Sequence, residues 1–243
     1  MTDVTLMPGR RRWPWAAGLV LAVMVGTLRY GNDLAIALED DLPSTSHGTP
    51  AAGSLENGKR LPARGANFRA YSDLGALLGR NAVHHAVRDT LLDAYDEMRR
   101  AWPDTVFVYG EAGWPSGGDF APHRTHQNGL AVDFFVPVLD RQQRSRRLPT
   151  HAFNRYGYDV EFGADGEWHG YHIDFPAMAA HLRALSDAAA RRGLRIERVI
   201  FDGTLQPQLF DADGDGLEAL MAFSTRRTHT RHDEHYHVVF AQR

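Results

Sequence analysis

The stretch that decides the fold runs from Pro122 to Asp133 and reads PHRTHQNGLAVD. A second stretch, from His229 to Phe240, reads HTRHDEHYHVVF, and together the two contain six of the chain's 13 histidines. Each stretch ends in an apolar run that is typical of a β-strand. Because side chains alternate along a strand, His235 and His237 should lie on the same face. The two stretches therefore predict two strands that carry a cluster of imidazoles and a carboxylate.

These residue types are those of a zinc hydrolase, which usually holds its metal with three His, Asp or Glu side chains and leaves a fourth position for water. The turn at Asn128-Gly129 can bring His126 next to Asp133. Of His235 and His237, one can bind the metal while the other lies about 6–7 Å along the strand as a proton-transfer group. Zn²⁺ is the first choice of cofactor because the candidate donors are nitrogen and oxygen and the chain has no cysteine.

The same residues carry a family resemblance. The motif from His123 to Asp133 (HxxHQxGLxVD), joined to the motif from His232 to Val238 (HxxHxHV), resembles the penicillin-insensitive murein endopeptidases. These belong to a wider group of zinc peptidases that includes D-Ala-D-Ala metallopeptidases and lysostaphin-type enzymes. The segments Gly53–Gly58 and Gly113–Gly118 fit as well, so the resemblance covers roughly residues 44–240.

The resemblance implies a role for the residues of each motif. His126, Asp133 and His237 would be the zinc ligands. His235 would be the general base and His232 a hydrogen-bond donor to the oxyanion, with the assignment between these two histidines left open. Such a site would hydrolyse the D-alanyl–meso-diaminopimelyl cross-links of peptidoglycan by metal-activated water. No serine is acylated in this chemistry, so β-lactams would have nothing to trap.

Two other functions remain open at this stage. A D,D-carboxypeptidase or dipeptidase that trims peptidoglycan stems would use the same ligands. The loop Gly110–Phe120 and residues 141–172 would decide between them, because an endopeptidase needs a cleft that is open at both ends. A catalytically silent cell-wall binding protein could also keep the fold and the metal.

Two weaker signals accompany the main site. His123 is expected to bind metal or to line the site, and a second metal ion would draw on Asp165 and His169 as further ligands. The acidic turn Asp211–Gly216 invites a calcium-loop interpretation, but the bidentate glutamate of an EF-hand is missing. Capping of a helix from Leu217 to Phe223 accounts for the acidic residues more simply.

Composition excludes several classes of protein. The net charge of −3 gives no electrostatic case for nucleic acid as a partner. The absence of cysteine excludes disulfides, thiolate zinc sites and a cysteine nucleophile. The expected partners are the peptide stems of peptidoglycan, and no feature of the sequence indicates an oligomeric state.

Residues 1–41 are predicted to be a signal peptide or a membrane anchor. Arg10–Arg12 precede an uncharged apolar run of 16 residues, Trp13–Leu28. Basic residues before such a run keep that end cytoplasmic and direct the rest across the membrane. Because Ala35-Ile36-Ala37 could serve as a cleavage site, both alternatives stay open. We therefore expect a periplasmic protein that contacts the membrane only through this segment.

The rest of the chain is predicted to form one α+β domain. Residues 42–67, rich in Pro, Gly, Ser and Ala, are interpreted as a linker and extended lead-in, and residues 68–243 as the zinc peptidase domain. Apolar spacing predicts a helix capped by Asn81 and ended by Pro103, and a second helix capped by Asp174. We expect a small, mostly antiparallel sheet that carries the metal site, with flanking helices.

Overall fold

The computed structural model describes residues 13–214, 216–225 and 231–243. Arg10–Arg12, Asp215 of the acidic turn and His229 of the second histidine stretch lie outside the described residues. The α-helices are α1 (Trp13–Ala37), α2 (Asp73–Leu78), α3 (His85–Ala101), α4 (Phe175–Arg191), α5 (Gln206–Asp213) and α6 (Leu217–Leu220), and Ala152–Gly157 is a 3-10 helix. The strands are β1 (Thr45–Thr49), β2 (Ala52–Glu56), β3 (Lys59–Arg60), β4 (Phe68–Ala70), β5 (Ala82–Val83), β6 (Phe107–Tyr109), β7 (Ala131–Phe135), β8 (Val138–Leu139), β9 (Ser145–Arg146), β10 (Glu167–Trp168), β11 (Tyr171–Ile173), β12 (Leu194–Ile200) and β13 (His235–Gln242).

The central sheet has five strands in the order β12-β13-β7-β6-β4. Neighbouring strands are antiparallel except β4 and β6, which run parallel. Smaller sheets lie beside it, one of them formed by β10, β11, β8 and β9. The predicted α+β class with a mostly antiparallel sheet is confirmed. The two strands predicted from the histidine stretches, β7 and β13, are neighbours at the centre of this sheet.

Successive side chains of β7 and β13 point to opposite faces of the central sheet, and the two faces have different surroundings. On one face Phe134 stacks on Tyr236, and both rings contact His181 of α4. This face is closed by helix packing, and all three residues are at most 1% exposed. Asp133 and His237 point to the opposite face because they alternate with these core residues. The core therefore occupies one side of the central strands and leaves the other side for a site.

The helix caps were predicted with mixed success. Asp174 caps α4 as expected, accepting a hydrogen bond from Ala177 N at 3.1 Å. The prediction that Asn81 caps α3 is wrong, because the cap is His84, whose Nδ1 accepts from Ala86 N at 3.2 Å. The chain stays extended through β5, which pairs with β3, so the helix cannot begin until the strand has ended.

The β1–β2 hairpin lies inside the segment interpreted as a linker and lead-in. Ser46 Oγ donates to Asn128 O at 2.7 Å, and Gln127 N donates to Pro50 O at 3.0 Å. These bonds hold the loop that carries His126. The hairpin is mostly exposed and is fixed by hydrogen bonds to a loop, which explains why the sequence shows no hydrophobic period here.

Asp211–Asp213 of the predicted acidic turn form the end of α5 instead, and α6 follows and ends at Leu220, three residues earlier than predicted. Asp213 binds the Arg183 guanidinium with both carboxylate oxygens, each at 2.6 Å. It also accepts from Leu217 N at 2.9 Å. The capping interpretation is therefore favoured over a calcium loop, because the Asp213 carboxylate already binds the Arg183 guanidinium and the first backbone N–H of α6.

Candidate metal centre

Asp133 and His237 are directly opposed in the β7–β13 ladder. Such pairs bring Cβ atoms to within about 4.5–5.5 Å of each other, and His237 Nδ1 lies 2.8 Å from Asp133 Oδ1. His235 is two residues away on the same face of β13, with Nε2 3.9 Å from Asp133 Oδ2. All three side chains are buried. The strand spacing thus places both histidines on the face of the carboxylate.

His126 reaches this cluster from the loop before β7. Its backbone adopts a left-handed conformation with φ at 75°. Its Nδ1 lies 3.2 Å from the carbonyl oxygens of both Ala112 and Ala131. Carbonyl oxygens only accept, so Nδ1 carries a proton and Nε2 presents a lone pair in the neutral ring. Nε2 lies 3.4 Å from Asp133 Oδ1 and, among the described residues, is buried without a hydrogen-bond partner.

Asp133 dominates the electrostatics of the cluster. Burial alone would raise the pKa of Asp133, but the nearby imidazoles and their hydrogen bonds hold this pKa well below its usual value. Burial lowers the pKa of His126, yet the Asp133 carboxylate outweighs burial and the pKa is raised overall. For His237 burial prevails, so its pKa is lowered despite the bond to Asp133. An anionic carboxylate beside a neutral imidazole is the ionisation state that metal ligation requires.

Glu234 orients His235. Its Oε1 lies 2.7 Å from His235 Nδ1, and both side chains are buried. Burial acts to lower the pKa of His235, but the charges of Glu234 and Asp133 raise it to about 9. The ring of His232 lies 4.7 Å from that of His235, centroid to centroid, and both rings line the same cleft. The structure therefore brings together the two histidines predicted to be catalytic.

Several supporting residues were not predicted from the sequence. The Tyr158 hydroxyl donates to Asp133 Oδ2 at 2.9 Å and accepts from Glu111 N at 3.0 Å. The buried Glu111 carboxylate accepts from Arg80 Nε at 2.8 Å and from the Tyr71 hydroxyl. These residues come from separate loops with no regular spacing, and only the glycine-rich loop after β6 marked the neighbourhood of Glu111.

His123, His126 and Asp133 form a group of described residues whose ligand atoms lie close enough together to hold one metal ion. One ligand atom from each of the three lies within 4.8 Å of those of the other two. His123 is less buried than these two residues. Among the described residues that line the cleft, Asp165 and His169 do not occur. Asp165 instead accepts from the backbone of its own turn, so the structure does not assemble the predicted partners of a second metal.

The cluster lies in a cleft of about 840 Å³. Tyr156 and Tyr158 form part of its wall, and the exposed Arg124 and Arg155 lie at its rim. A volume of this size is within the range of sites that bind small molecules or peptide segments. Arg155 pairs with Asp159 at 3.3 Å, so Arg124 is the cationic side chain of this rim that favours an anionic ligand.

The donor set passes a simple test for a metal centre. Buried Nε2 atoms of His126 and His237 have no hydrogen-bond partner among the described residues. Buried polar atoms are rarely left unpaired, and here they accompany a carboxylate that is held anionic. Two imidazoles and a carboxylate without sulfur are the donors of a zinc site. The fold and site thus define an α+β protein with a candidate histidine–carboxylate metal centre in an open cleft.

The chain belongs to the peptidase M74 family of penicillin-insensitive murein endopeptidases, which it matches over residues 46–241. The matched region begins in the β1–β2 hairpin and includes every residue of the candidate metal centre. Comparison with curated proteins gives no match. Membership in this family supports a peptidase that hydrolyses peptidoglycan, and confirms the resemblance found in the two histidine motifs.

Proposed function

We propose that this protein is a zinc-dependent endopeptidase that hydrolyses D-alanyl–meso-diaminopimelyl cross-links in peptidoglycan. The observation that carries the proposal is the buried convergence of His126, His237 and Asp133 in the cleft. Family membership supplies the class of substrate. Since peptidoglycan lies outside the cytoplasmic membrane, a periplasmic location is part of the proposal.

His126, Asp133 and His237 are the residues that would hold zinc. Each is at most 3% exposed. His123 is more exposed, which favours a role at the edge of the site. When bound, zinc would act as a Lewis acid that polarises the scissile carbonyl and increases the acidity of a coordinated water.

His235 is placed to move the proton. Glu234 fixes its Nδ1, so Nε2 is the atom left for exchange with water and substrate. A carboxylate behind the ring also makes the imidazole more basic. We assign to His235 the transfer of a proton from the attacking water to the departing amine. A cation held by Asp133 would offset part of the negative charge that raises the pKa of His235 to about 9, and would so favour the neutral ring that accepts the proton. His232, beside it, would donate a hydrogen bond to the developing oxyanion.

The rim of the cleft also supports the choice of substrate. Peptidoglycan stems carry free carboxylates, and the rim presents the exposed Arg124. The Tyr158 hydroxyl donates to Asp133 Oδ2, and Asp133 N donates to Glu111 O at 2.9 Å, so the carboxylate is held in a fixed position.

The test uses the full chain in detergent with a purified D-Ala–diaminopimelate cross-linked muropeptide dimer, followed by mass spectrometry. The proposal expects conversion of dimer to two monomers, loss of this activity with a chelator and its return with Zn²⁺. A monomeric pentapeptide is the matched control substrate. Release of its terminal D-Ala with an untouched dimer would indicate a D,D-carboxypeptidase. If the zinc-loaded protein leaves both substrates intact, a silent binding protein is the better interpretation.

A further inference from the structure

The C-terminal end of α1 is part of the domain rather than a separate leader. Asn32, in α1, is 3% exposed, and its Nδ2 donates to Leu61 O at 3.0 Å. Its Oδ1 accepts from Asn81 Nδ2 at 3.0 Å, and Asn81 is fully buried. Removing Asn32 would therefore take one hydrogen-bond acceptor from the buried side-chain amide of Asn81, which lowers stability.

Contacts on either side of Asn32 continue this attachment. Arg64 Nη1 donates to the backbone oxygen of Arg29 at 2.8 Å. Past the end of the helix, Glu39 forms an ion pair with Arg88 of α3 at 3.0 Å. Ala35-Ile36-Ala37, the candidate cleavage site, lies within the last turn of α1, between these two contacts. Cleavage there would cut through a packed junction and remove Asn32.

The N-terminal part of α1 is apolar and uncovered. The segment Trp15–Ala37 is long and apolar enough to cross a membrane, and only 6% of its most apolar window is buried. Leu19 and Met24 are 67% and 63% exposed. A core helix of a soluble domain would be covered by protein, whereas this exposed apolar surface fits the interior of a membrane. The 16 residues Trp13–Leu28 that precede this junction form about 24 Å of helix, against about 30 Å for the hydrocarbon core of a bilayer, a mismatch that local thinning of the bilayer can accommodate.

We propose that α1 is retained in the mature protein as a membrane anchor and holds one face of the domain against the lipid head groups. The face is formed by α2 and the 3-10 helix. The junction at Asn32 decides between anchor and cleaved signal, because a cleaved signal would not contribute a buried residue to the domain. The inference rests on contacts outside the cleft and is independent of the reaction.

The face beside α1 has the chemistry of a membrane surface. It presents Leu78 and Phe153, which are 58% and 97% exposed. A groove between this face and α1 is lined by Met24 of the helix and by Arg69 and Arg147 of the domain. Among the described residues neither arginine has a carboxylate partner. Exposed apolar side chains next to unpaired arginines fit a bilayer with anionic phosphate head groups.

The first test follows the fate of the N-terminus. The full chain with a C-terminal tag is produced in a Gram-negative host, and the membrane and soluble fractions are analysed by intact-mass spectrometry. The proposal expects protein that includes α1, found in membranes and resistant to alkaline extraction. Soluble periplasmic protein that begins after Ala37 would overturn it.

The second test addresses the junction. Asn32→Ala is compared with Asp33→Ala, its exposed neighbour on α1, by thermal unfolding of the full chain in detergent. We expect Asn32→Ala to lower the unfolding temperature by about 4 °C or more and Asp33→Ala to change it by less than about 1 °C. Equal unfolding temperatures for the two variants would show that the helix is not part of the domain.

The third test locates the face relative to lipid. Because the chain has no cysteine, Phe153→Cys gives a single labelling site for an environment-sensitive fluorophore. Leu220→Cys, on α6, is the matched control, since Leu220 is also exposed but lies on a helix that packs against α4 and α5. In vesicles of phosphatidylethanolamine and phosphatidylglycerol we expect lipid-borne quenchers to act on the label at position 153 and aqueous quenchers on the label at position 220. If both labels respond only to the aqueous quencher, the domain does not rest on the bilayer.

Discussion

His126 Nε2 and Asp133 Oδ1 face each other at 3.4 Å in a buried site, with no donor from the described residues between them. Two backbone carbonyl oxygens bind Nδ1 of His126 and fix the orientation of the ring, so the lone pair on Nε2 stays directed at Asp133. The Asp133 carboxylate raises the pKa of His126 against the effect of burial, so the two groups attract each other across this gap. This pair is the part of the proposed zinc site that metal binding should affect most directly.

Zinc should stabilise the fold through this pair. A ligand at about 100 times its dissociation constant adds about 2.7 kcal/mol to the free energy of unfolding, which for a chain of this size is about 5–10 °C in unfolding temperature. We expect Zn²⁺ added to chelator-treated protein to produce such a shift. Differential scanning fluorimetry with matched zinc analysis measures it.

The control for this prediction is a histidine away from the cleft. Asp133→Ala should abolish the zinc-dependent shift, whereas His172→Ala, on β11, should retain it. A zinc-dependent shift of equal size in Asp133→Ala would place the metal elsewhere.

Glu234→Gln should slow the reaction without releasing the metal. The amide keeps the size of the side chain but loses the charge that raises the pKa of His235. Partners of this kind typically change activity by about 10–100-fold, so we expect kcat on the cross-linked dimer to fall within that range at unchanged zinc content. Glu161→Gln, an exposed glutamate 3.6 Å from Arg231, is the matched control. Unchanged kcat in Glu234→Gln would remove Glu234 from the mechanism.

The sequence predicted those parts of the fold that depend on residues close together in the chain. The period-two placement of His235 and His237 is a property of any strand, and the alternation of β13 with the core places them beside Asp133. The Asp174 cap was predictable because it depends only on the three residues that follow it. The Asn81 cap was mispredicted because β5 pairs with β3, a contact that no local pattern encodes.

The residues that hold Asp133 and Glu111 in place could not be predicted from the sequence, because their contacts also join distant parts of the chain. Tyr158 reaches Asp133 from a loop 25 positions later in the chain, and Arg80 reaches Glu111 across 31 positions. A single tyrosine or arginine in a loop carries no periodic signal, and only the folded arrangement shows what it binds. The histidine motifs were informative because clustered histidines next to an aspartate are rare in sequences. Single tyrosines and arginines are frequent in loops, so the sequence does not distinguish the supporting ones from the others.

Arg80 should be required for stability. Its guanidinium binds the buried Glu111 carboxylate, and the two side chains are 16% and 7% exposed. Removing one partner of such a pair leaves an uncompensated charge and lowers stability by about 3–5 kcal/mol, whereas replacing both by apolar residues is far milder. We expect Arg80→Leu to show the full loss in urea unfolding and Arg80→Leu/Glu111→Leu to recover part of it. A double variant as unstable as the sum of the two single variants would contradict this coupling.

The buried His181 should make stability depend on pH. Burial lowers the pKa of His181 from 6.5 to about 3. The ring stacks on Tyr95 and Phe107, and its Nδ1 lies 2.6 Å from the Tyr236 hydroxyl. Burial raises the pKa of both tyrosines well above 10, so they stay neutral and provide no charge to stabilise an imidazolium.

The sign of the effect follows from proton binding. Between about pH 6.5 and pH 3 the unfolded chain holds a proton on His181 that the folded chain does not, so the free energy of unfolding falls as the pH falls. The contribution of one such group approaches about 1.4 kcal/mol per pH unit and vanishes above pH 6.5. His181→Gln keeps a hydrogen-bond acceptor for Tyr236 but cannot titrate. We expect urea unfolding to show a smaller decrease for this variant than for the wild type between pH 6 and pH 4, although the variant is less stable at pH 8 because the ring packing is lost. Parallel pH profiles for the two proteins would show that His181 is protonated to the same extent in the folded and unfolded chains.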